Sequence, residues 1–285
     1  MAQEAPDFLV VGHVVQDLVD GGWRLGGAVS YASLLARNLG LRTAVLTSCS
    51  SEVPLGDLLP GVDLHIVASE RTTQMRNVYS DAGRREQWVP QRASVLTAKH
   101  LPAPWREARI VLLGPVAGEI DDSLAGSFGE RSIVGLGAQG WLREIGADQR
   151  VRPVAPADWQ AAGLLEAADA LFLSDEDLPI EDAPAALAEW GTHVDVVAFT
   201  RGYGGADVCF RGEWRRFEAF PAQPVDLTGA GDVFAAGFLA RYAETGDPWE
   251  ATRYGSAAAS LVIEGVGVEG VPSREAIEAR LAVNA

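Results

Sequence analysis

Seven apolar runs of strand length punctuate the sequence, FLVVGHVV, TAVLT, DLHIV, RIVLLG, SIVGL, ALFLS and VDVVAFT, with helical segments between them. Runs that are apolar throughout, rather than alternating, suit strands covered on both faces, and such strands assemble into a parallel sheet flanked by helices. The predicted class is therefore α/β. Between Ala28 and Leu39 the residues Ala28, Tyr31, Ala32, Leu35 and Leu39 share one helical stripe, which stops at Gly40. Two stretches break the rhythm. Residues 72–89 have two polar, β-leaning arms around Asp81-Ala82-Gly83 and predict a hairpin. The stretch DLVDGGWRL, from Asp17 towards Gly26, is too short and glycine-rich for a helix. These elements, at about 14–25 and 72–92, are expected to form a small lid over the edge of the sheet. With 285 residues and no internal repeat, low-complexity tract or linker, the chain is expected to fold as one domain over 1–285.

Composition removes several chemistries. The formal charge of −16 repels a phosphate backbone over most of the surface, so nucleic acid is not an expected partner. Lys99 is the one lysine, and it lies in TAKHLPAPW, a proline-bounded stretch without glycine. A Walker A loop needs a lysine after its glycines and a protein-kinase-like site needs one on a strand, so both are excluded. Cys49 and Cys209 sit in apolar, strand-like segments and are expected to be reduced, half-buried thiols. No apolar run reaches the roughly 18 residues of a membrane span and no signal peptide is visible, so the expectation is a soluble, cytoplasmic protein without a membrane partner.

The segment PVDLTGAGDVFAAGFLARY, residues 224–242, carries the most chemistry. Gly229, Ala230 and Gly231 permit backbone angles closed to larger residues, so successive N–H groups can point into one concavity. A helix follows from about Asp232 to Tyr242, with Phe234, Phe238 and Tyr242 on a buried stripe and Gly246 and Pro248 ending it. Its unpaired first-turn N–H groups and dipole favour an anion at the same place. Asp232, itself negative, has two readings there. It can complement the helix terminus, with Thr228 as the cap before it. It can equally accept the proton of an attacking hydroxyl while the N–H groups neutralise a transferred phosphoryl group, which is what phosphoryl transfer requires of a protein, together with a bridging metal.

VDLTGAGDVFAAGF resembles the C-terminal signature of the ribokinase-like, or PfkB, carbohydrate kinase family, D-T-x-G-A-G-D followed by an apolar helix, with Asp226, Thr228, Gly229, Ala230, Gly231 and Asp232 in register. LGGAVSYASLLARNLG, residues 25–40, is similar to the family's N-terminal diglycine segment, here Gly26 and Gly27, and VVGHVVQD places Gly12 and Asp17 at the family's spacing for a strand-end carboxylate. The resemblance covers essentially the whole chain. It implies a mostly parallel central sheet with helices on both faces and a small β lid. It also implies an ATP- and Mg2+-dependent phosphotransferase acting on an alcohol group, with room for a monovalent cation. Asp232 would be the general base, the Gly229–Gly231 amides the anion hole, and Asp17 the residue that orients the acceptor. TRGYGGADV resembles the family's loop near the nucleotide phosphates, giving Thr200 and Gly202, with Thr228, as contacts. Ala258, on a small-residue helix, would border the adenine or else pack against a neighbouring helix.

The chain also departs from the family pattern. Where the family carries N-x-x-E after a central strand, the register gives Ser174 to Asp177, leaving Asp177 as the candidate metal ligand. Tyr31 stands where many sugar kinases have Asn at a substrate-contacting position. TTQMRNVYSDAGRREQWVPQRA, LLGPVAGEI and GAQGWLR look most like the compact branch that includes myo-inositol kinases, with Asn77, Gln139 and Arg143 as substrate contacts. A small lid implies a monomer or a loose homodimer. The acceptor is thus expected to be a small sugar or polyol, with a nucleoside, or a ribokinase-fold protein that binds without catalysing, as alternatives. A literal GxGxxG at Gly135–Gly140 invites a dinucleotide reading, but Gly146 and Pro153 interrupt any helix behind it.

Overall fold

The computed structural model describes residues 4–79, 85–178 and 181–283. Its first half contains β1 (Phe8–Val11), β2 (Val15–Val19), β3 (Gly22–Gly26), α1 (Ala28–Asn38), β4 (Thr43–Cys49), α2 (Leu55–Leu58), β5 (Asp63–Ala68), β6 (Thr73–Tyr79) and β7 (Arg85–Gln91). Next come β8 (Ile110–Leu113), β9 (Ile133–Gly137), β10 (Arg143–Ile145), β11 (Val151–Pro153), α3 (Ala162–Leu165), β12 (Ala170–Ser174) and α4 (Ala183–Trp190). The chain finishes with β13 (Val196–Thr200), β14 (Ala206–Phe210), β15 (Glu213–Phe217), α5 (Ala230–Thr245), α6 (Pro248–Val262) and α7 (Arg274–Val283).

Nine strands form one sheet in the order β15-β14-β13-β12-β9-β8-β1-β4-β5. Those from β13 to β5 run parallel, and each falls on one of the seven apolar runs read from the sequence. The β14–β15 hairpin adds an antiparallel edge. β1 and β8 are wholly buried because both faces are covered: one by α1, α5 and α6, the other by a second apolar layer centred on Leu46, Trp105, Leu113 and Leu136.

The order of strands reverses at β1. The chain builds outward from β1 through β4 to β5, then returns to place β8 on the other side of β1 and continues to β13. In open α/β sheets the carboxyl ends of strands at such a reversal leave a crevice, and ligands bind there. Over this crevice stands a separate four-stranded sheet, β3-β2-β6-β7. The lid thus has two hairpins of comparable size. The Asp17–Gly26 segment, too short for a helix, forms the β2–β3 half and pairs through β2 with β6, setting Asp17 beside Met75. The Asp81–Gly83 turn lies outside the described residues.

Candidate active site

Helix α5 begins at the sheet crevice because Gly229 can take the left-handed conformation (φ +82°) that turns the chain from loop into helix. The same glycine is required sterically, since a Cβ there would collide with the ring of Tyr31 on α1. The N-cap is Gly229, and no side chain caps the terminus. The first-turn N–H groups of α5 have no intrahelical acceptors and receive no side-chain oxygen from Thr228 or Asp232; that of Ala230 makes a long bond to the Leu227 carbonyl (3.5 Å). The capping reading of these two residues is therefore not the one realised. Asp226 pins the loop before the helix: its two oxygens accept N–H groups from Thr228 (3.0 Å) and Gly267 (3.1 Å). Burial works against its charge, but these bonds and the nearby Arg24 hold its carboxyl below the usual range.

Asp232 occupies the first turn of α5, half-buried at the floor of the crevice. Loss of hydration and the negative charges of Asp177 and Asp17 push its pKa up to about 7, against the pull of the Arg143 guanidinium. These four residues, from four separate parts of the chain, share one electrostatic neighbourhood. Arg143 and Asp177 form its buried pair, with side chains 8% and 6% exposed and Nη2 4.0 Å from Oδ1. Arg143 also donates to the Val116 carbonyl (3.3 Å).

The Ser174–Asp177 turn closes on itself. Oδ2 of Asp177 accepts from the Ser174 N–H (3.1 Å) and hydroxyl (2.8 Å), which leaves Oδ1 buried without a hydrogen-bond partner among the described residues. Buried oxygens are seldom left so. A cation that keeps most of its waters and takes one protein carboxylate plus phosphate oxygens would satisfy it, which is the usual habit of Mg2+. No cluster of three acidic, histidine or cysteine side chains able to hold a metal occurs among the described residues.

Asp17 points from the lid strand β2 onto Gly26, whose missing side chain leaves room for the carboxylate. Gly27 starts α1. Asn77 lies further along β6 on the same lid sheet and accepts a hydrogen bond from Gln87 (2.8 Å). Gln139 lies in the turn after β9, half-exposed. Thr200 ends β13, and Gly202 begins the exposed turn that follows, where Arg201 pairs with Asp207 (2.6 Å).

Two sequence-derived contacts find other employment. Ala258 has no exposed surface: it packs at the α5–α6 contact beside Gly237 and Gly255, so it is a spacer between helices and has no face to offer an adenine ring. Tyr31 is 1% exposed and lies under Gly229, supporting the α5 turn from below. Its phenol is kept protonated by burial and by Asp226, Asp17 and Asp232. Conversely, Arg24 faces Asp17 across β2–β3 and acts on both Asp226 and Tyr31, which sequence reasoning missed. The signal was available in the alternation of the strand leading into the diglycine. An open cavity of about 670 Å³ lies elsewhere, lined by Arg215, Trp249, Arg253 and Tyr254 and by none of the residues above.

Comparison with known proteins fits this geometry. The pfkB family carbohydrate kinase profile matches residues 143–274, which contain Arg143, Asp177 and the whole α5 loop. Over these residues the chain is similar to the PfkB carbohydrate kinases. It is similar to a cytidine kinase of Thermococcus kodakarensis, with 29% identity over 90% of this chain and 96% of that protein. Among solved structures, a pyrophosphate-dependent kinase of the ribokinase family complexed with a pyrophosphate analog and myo-inositol superposes with a TM-score of 0.79 (23% identity, 95% of this chain and 99% of that chain). Arabidopsis thaliana ribokinase complexed with ribose and ATP gives 0.75 (22% identity, 97% and 99%). These two likenesses establish the ribokinase-like fold. The matched family model and relatives are sugar and nucleoside kinases, which supports a phosphotransferase acting on a hydroxyl.

Proposed function

We propose that this protein, one domain over residues 1–285, is a kinase of the PfkB type that transfers the γ-phosphoryl group of ATP to a hydroxyl of a small sugar or polyol, myo-inositol among them. The observation that carries the reading is a carboxylate with a pKa of about 7 beside an uncapped helix N-terminus. A base is most useful when its pKa lies near the working pH. In this reading Asp17 accepts hydrogen bonds from acceptor hydroxyls, flanked by Gly26, Gly27, Asn77, Gln139 and Arg143. Asp232 takes the proton of the attacking hydroxyl, and the amides of Gly229, Ala230 and Gly231 neutralise the phosphoryl oxygens as they move. Thr200, Gly202 and Thr228 hold the rest of the donor. Asp177 would hold magnesium, which would supply neutralisation of the donor's negative charge. Arg143 keeps the two carboxylates beside it from driving Asp232 fully neutral. The protein acts in the cytoplasm as a monomer or loose dimer.

A second reading, phosphorylation of a nucleoside, is favoured by the full-length similarity to a cytidine kinase. A ribosyl group presents neighbouring hydroxyls to Asp17 as a polyol does. The deciding experiment is product release with magnesium across myo-inositol, hexoses, ribose, cytidine and other nucleosides, with ATP in one arm and pyrophosphate in the other. Turnover of a sugar or polyol with ATP supports the proposal, and turnover confined to nucleosides selects the second reading. Turnover with pyrophosphate alone overturns the donor assignment. Ligand binding without turnover in both arms overturns the catalytic reading and leaves a sensor.

A further inference from the structure

His13 sits between β1 and β2, where the chain leaves the body for the lid, and it is wholly buried. Its ring joins that crossing to two others. Nε2 lies 2.9 Å from the carbonyl oxygen of Ser94, just after β7. A carbonyl can only accept, so Nε2 carries a proton, and in the neutral tautomer this fixes, Nδ1 is the acceptor. Nδ1 receives the hydroxyl of Thr73 at the start of β6 (2.7 Å), and the Thr73 oxygen accepts the Ala93 N–H (3.0 Å). Every donor in this chain of bonds finds an acceptor. The fourth crossing, Gly27 between β3 and α1, lies against the His13 carbonyl, so all four strands of the lid are referred to one residue.

On the body side the His13 N–H donates to Oε1 of Glu119 (3.0 Å), a wholly buried carboxylate. Glu119 also accepts the N–H groups of Val116 (3.0 Å) and Ala117 (2.7 Å). The Val116 carbonyl is the acceptor of Arg143, the guanidinium that stands beside Asp177. Hydrogen bonds therefore link Arg143, through Val116 and Glu119, to the root of the lid, and a 4.0 Å ion pair joins Arg143 to Asp177. Asp17 lies in β2, four residues beyond His13.

We propose that His13, braced by Glu119 and Thr73, is a positioning residue that fixes the lid so that the Asp17 carboxylate stands opposite Asp232. This rests on the reading of Asp17 as the acceptor-binding carboxylate. A node that only stabilised the fold would affect all kinetic parameters together. A positioning node acts on the acceptor.

The test replaces Thr73 by Val, which keeps the shape and deletes the hydroxyl, and by Ser, which keeps the hydroxyl. T73V deletes both hydrogen bonds of the Thr73 oxygen, to His13 Nδ1 and from the Ala93 N–H, and is expected to raise the acceptor KM at least about tenfold, with donor KM and kcat within about threefold of wild type. T73S is expected to restore the acceptor KM. An unchanged acceptor KM in T73V, equal impairment in T73S, or a parallel fall in kcat and both affinities with loss of thermal stability overturns the proposal. Hydrogen exchange of the substrate-free protein supplies an arm that needs no turnover. Amides of β2 and β6 should exchange faster in T73V while those of β8 and β9 do not change, and unchanged lid exchange also overturns it. A wild type inactive on every acceptor would refute the kinase reading but leave this arm to decide the node.

Discussion

Asp232 is held in a place that disfavours its charge. Burial and the neighbouring Asp177 and Asp17 raise its pKa to about 7, while Arg143 opposes them. The folded protein therefore holds this proton more tightly than the unfolded chain, where Asp titrates near 3.9. Stability from this group is undiminished below about pH 4, falls as the pH climbs to about 7, and above that carries the full penalty of an ionised, poorly hydrated carboxylate. Asp232→Asn is accordingly expected to melt at a higher temperature than wild type at pH 8, with the difference closing towards pH 4. Melting curves at the two pH values check this, and a destabilised variant at pH 8 would contradict it. A residue kept at such a cost is characteristic of a reaction centre, though ion-pair networks also shift pKa values. In the sequence, Asp232 is singled out by the small residues before it. The sequence named Asp17, Arg143 and Asp177 by resemblance but could not show that they shift the Asp232 pKa, because folding brings the four together. Nor could it tell which small or aromatic residues face a ligand: Ala258 and Tyr31 are on the right helices but turned into the packing.

Among the elements, α5 carries most of the argument. Phe234 and Phe238 pack against Phe172 of β12 in edge-to-face contacts with centroids 6.2 and 5.4 Å apart, and each buried Phe contributes roughly 1.5–3 kcal/mol. That packing fixes the helix axis and so aims its N-terminus. The stripe and the terminating glycine, Gly246 at φ +69°, were readable from spacing alone. The start was readable only in part: the structure begins the helix at Ala230, with Gly229 as an open cap. Gly229→Ala combines a left-handed backbone with a collision against Tyr31 and is expected to cost more than about 1 kcal/mol and to disturb the anion site. A second change, Tyr31→Ala, should relieve the collision but not the backbone strain, so the double variant stays less stable than Tyr31→Ala. Denaturant titrations of the four proteins check it, and an additive, strain-free G229A would contradict it.

For the molecule as a whole, the parallel sheet was the most legible feature because each buried strand is a continuous apolar run. The lid was the least legible, because its register depends on pairing β2 with β6, which are distant in the sequence. The β14–β15 hairpin was half visible, since β15 is mostly exposed and polar and carries no burial signal. The body and lid together place Asp232, Asp17 and the N-terminus of α5 in one electrostatic neighbourhood. If magnesium takes the bare Oδ1 of Asp177, chelation should abolish turnover yet leave intact the rise in melting temperature that an acceptor produces, since Asp17 needs no metal. Thermal shift with and without chelator reads this, and an acceptor shift lost together with turnover would contradict it.

The most direct test of the account is single-turnover phosphoryl transfer by wild type and by Asp232→Asn, with saturating donor, magnesium and the acceptor identified by the panel. The account predicts that the variant still binds both substrates and transfers at least about a hundredfold more slowly, the contribution usual for a positioned base. Transfer at the wild-type rate would contradict it.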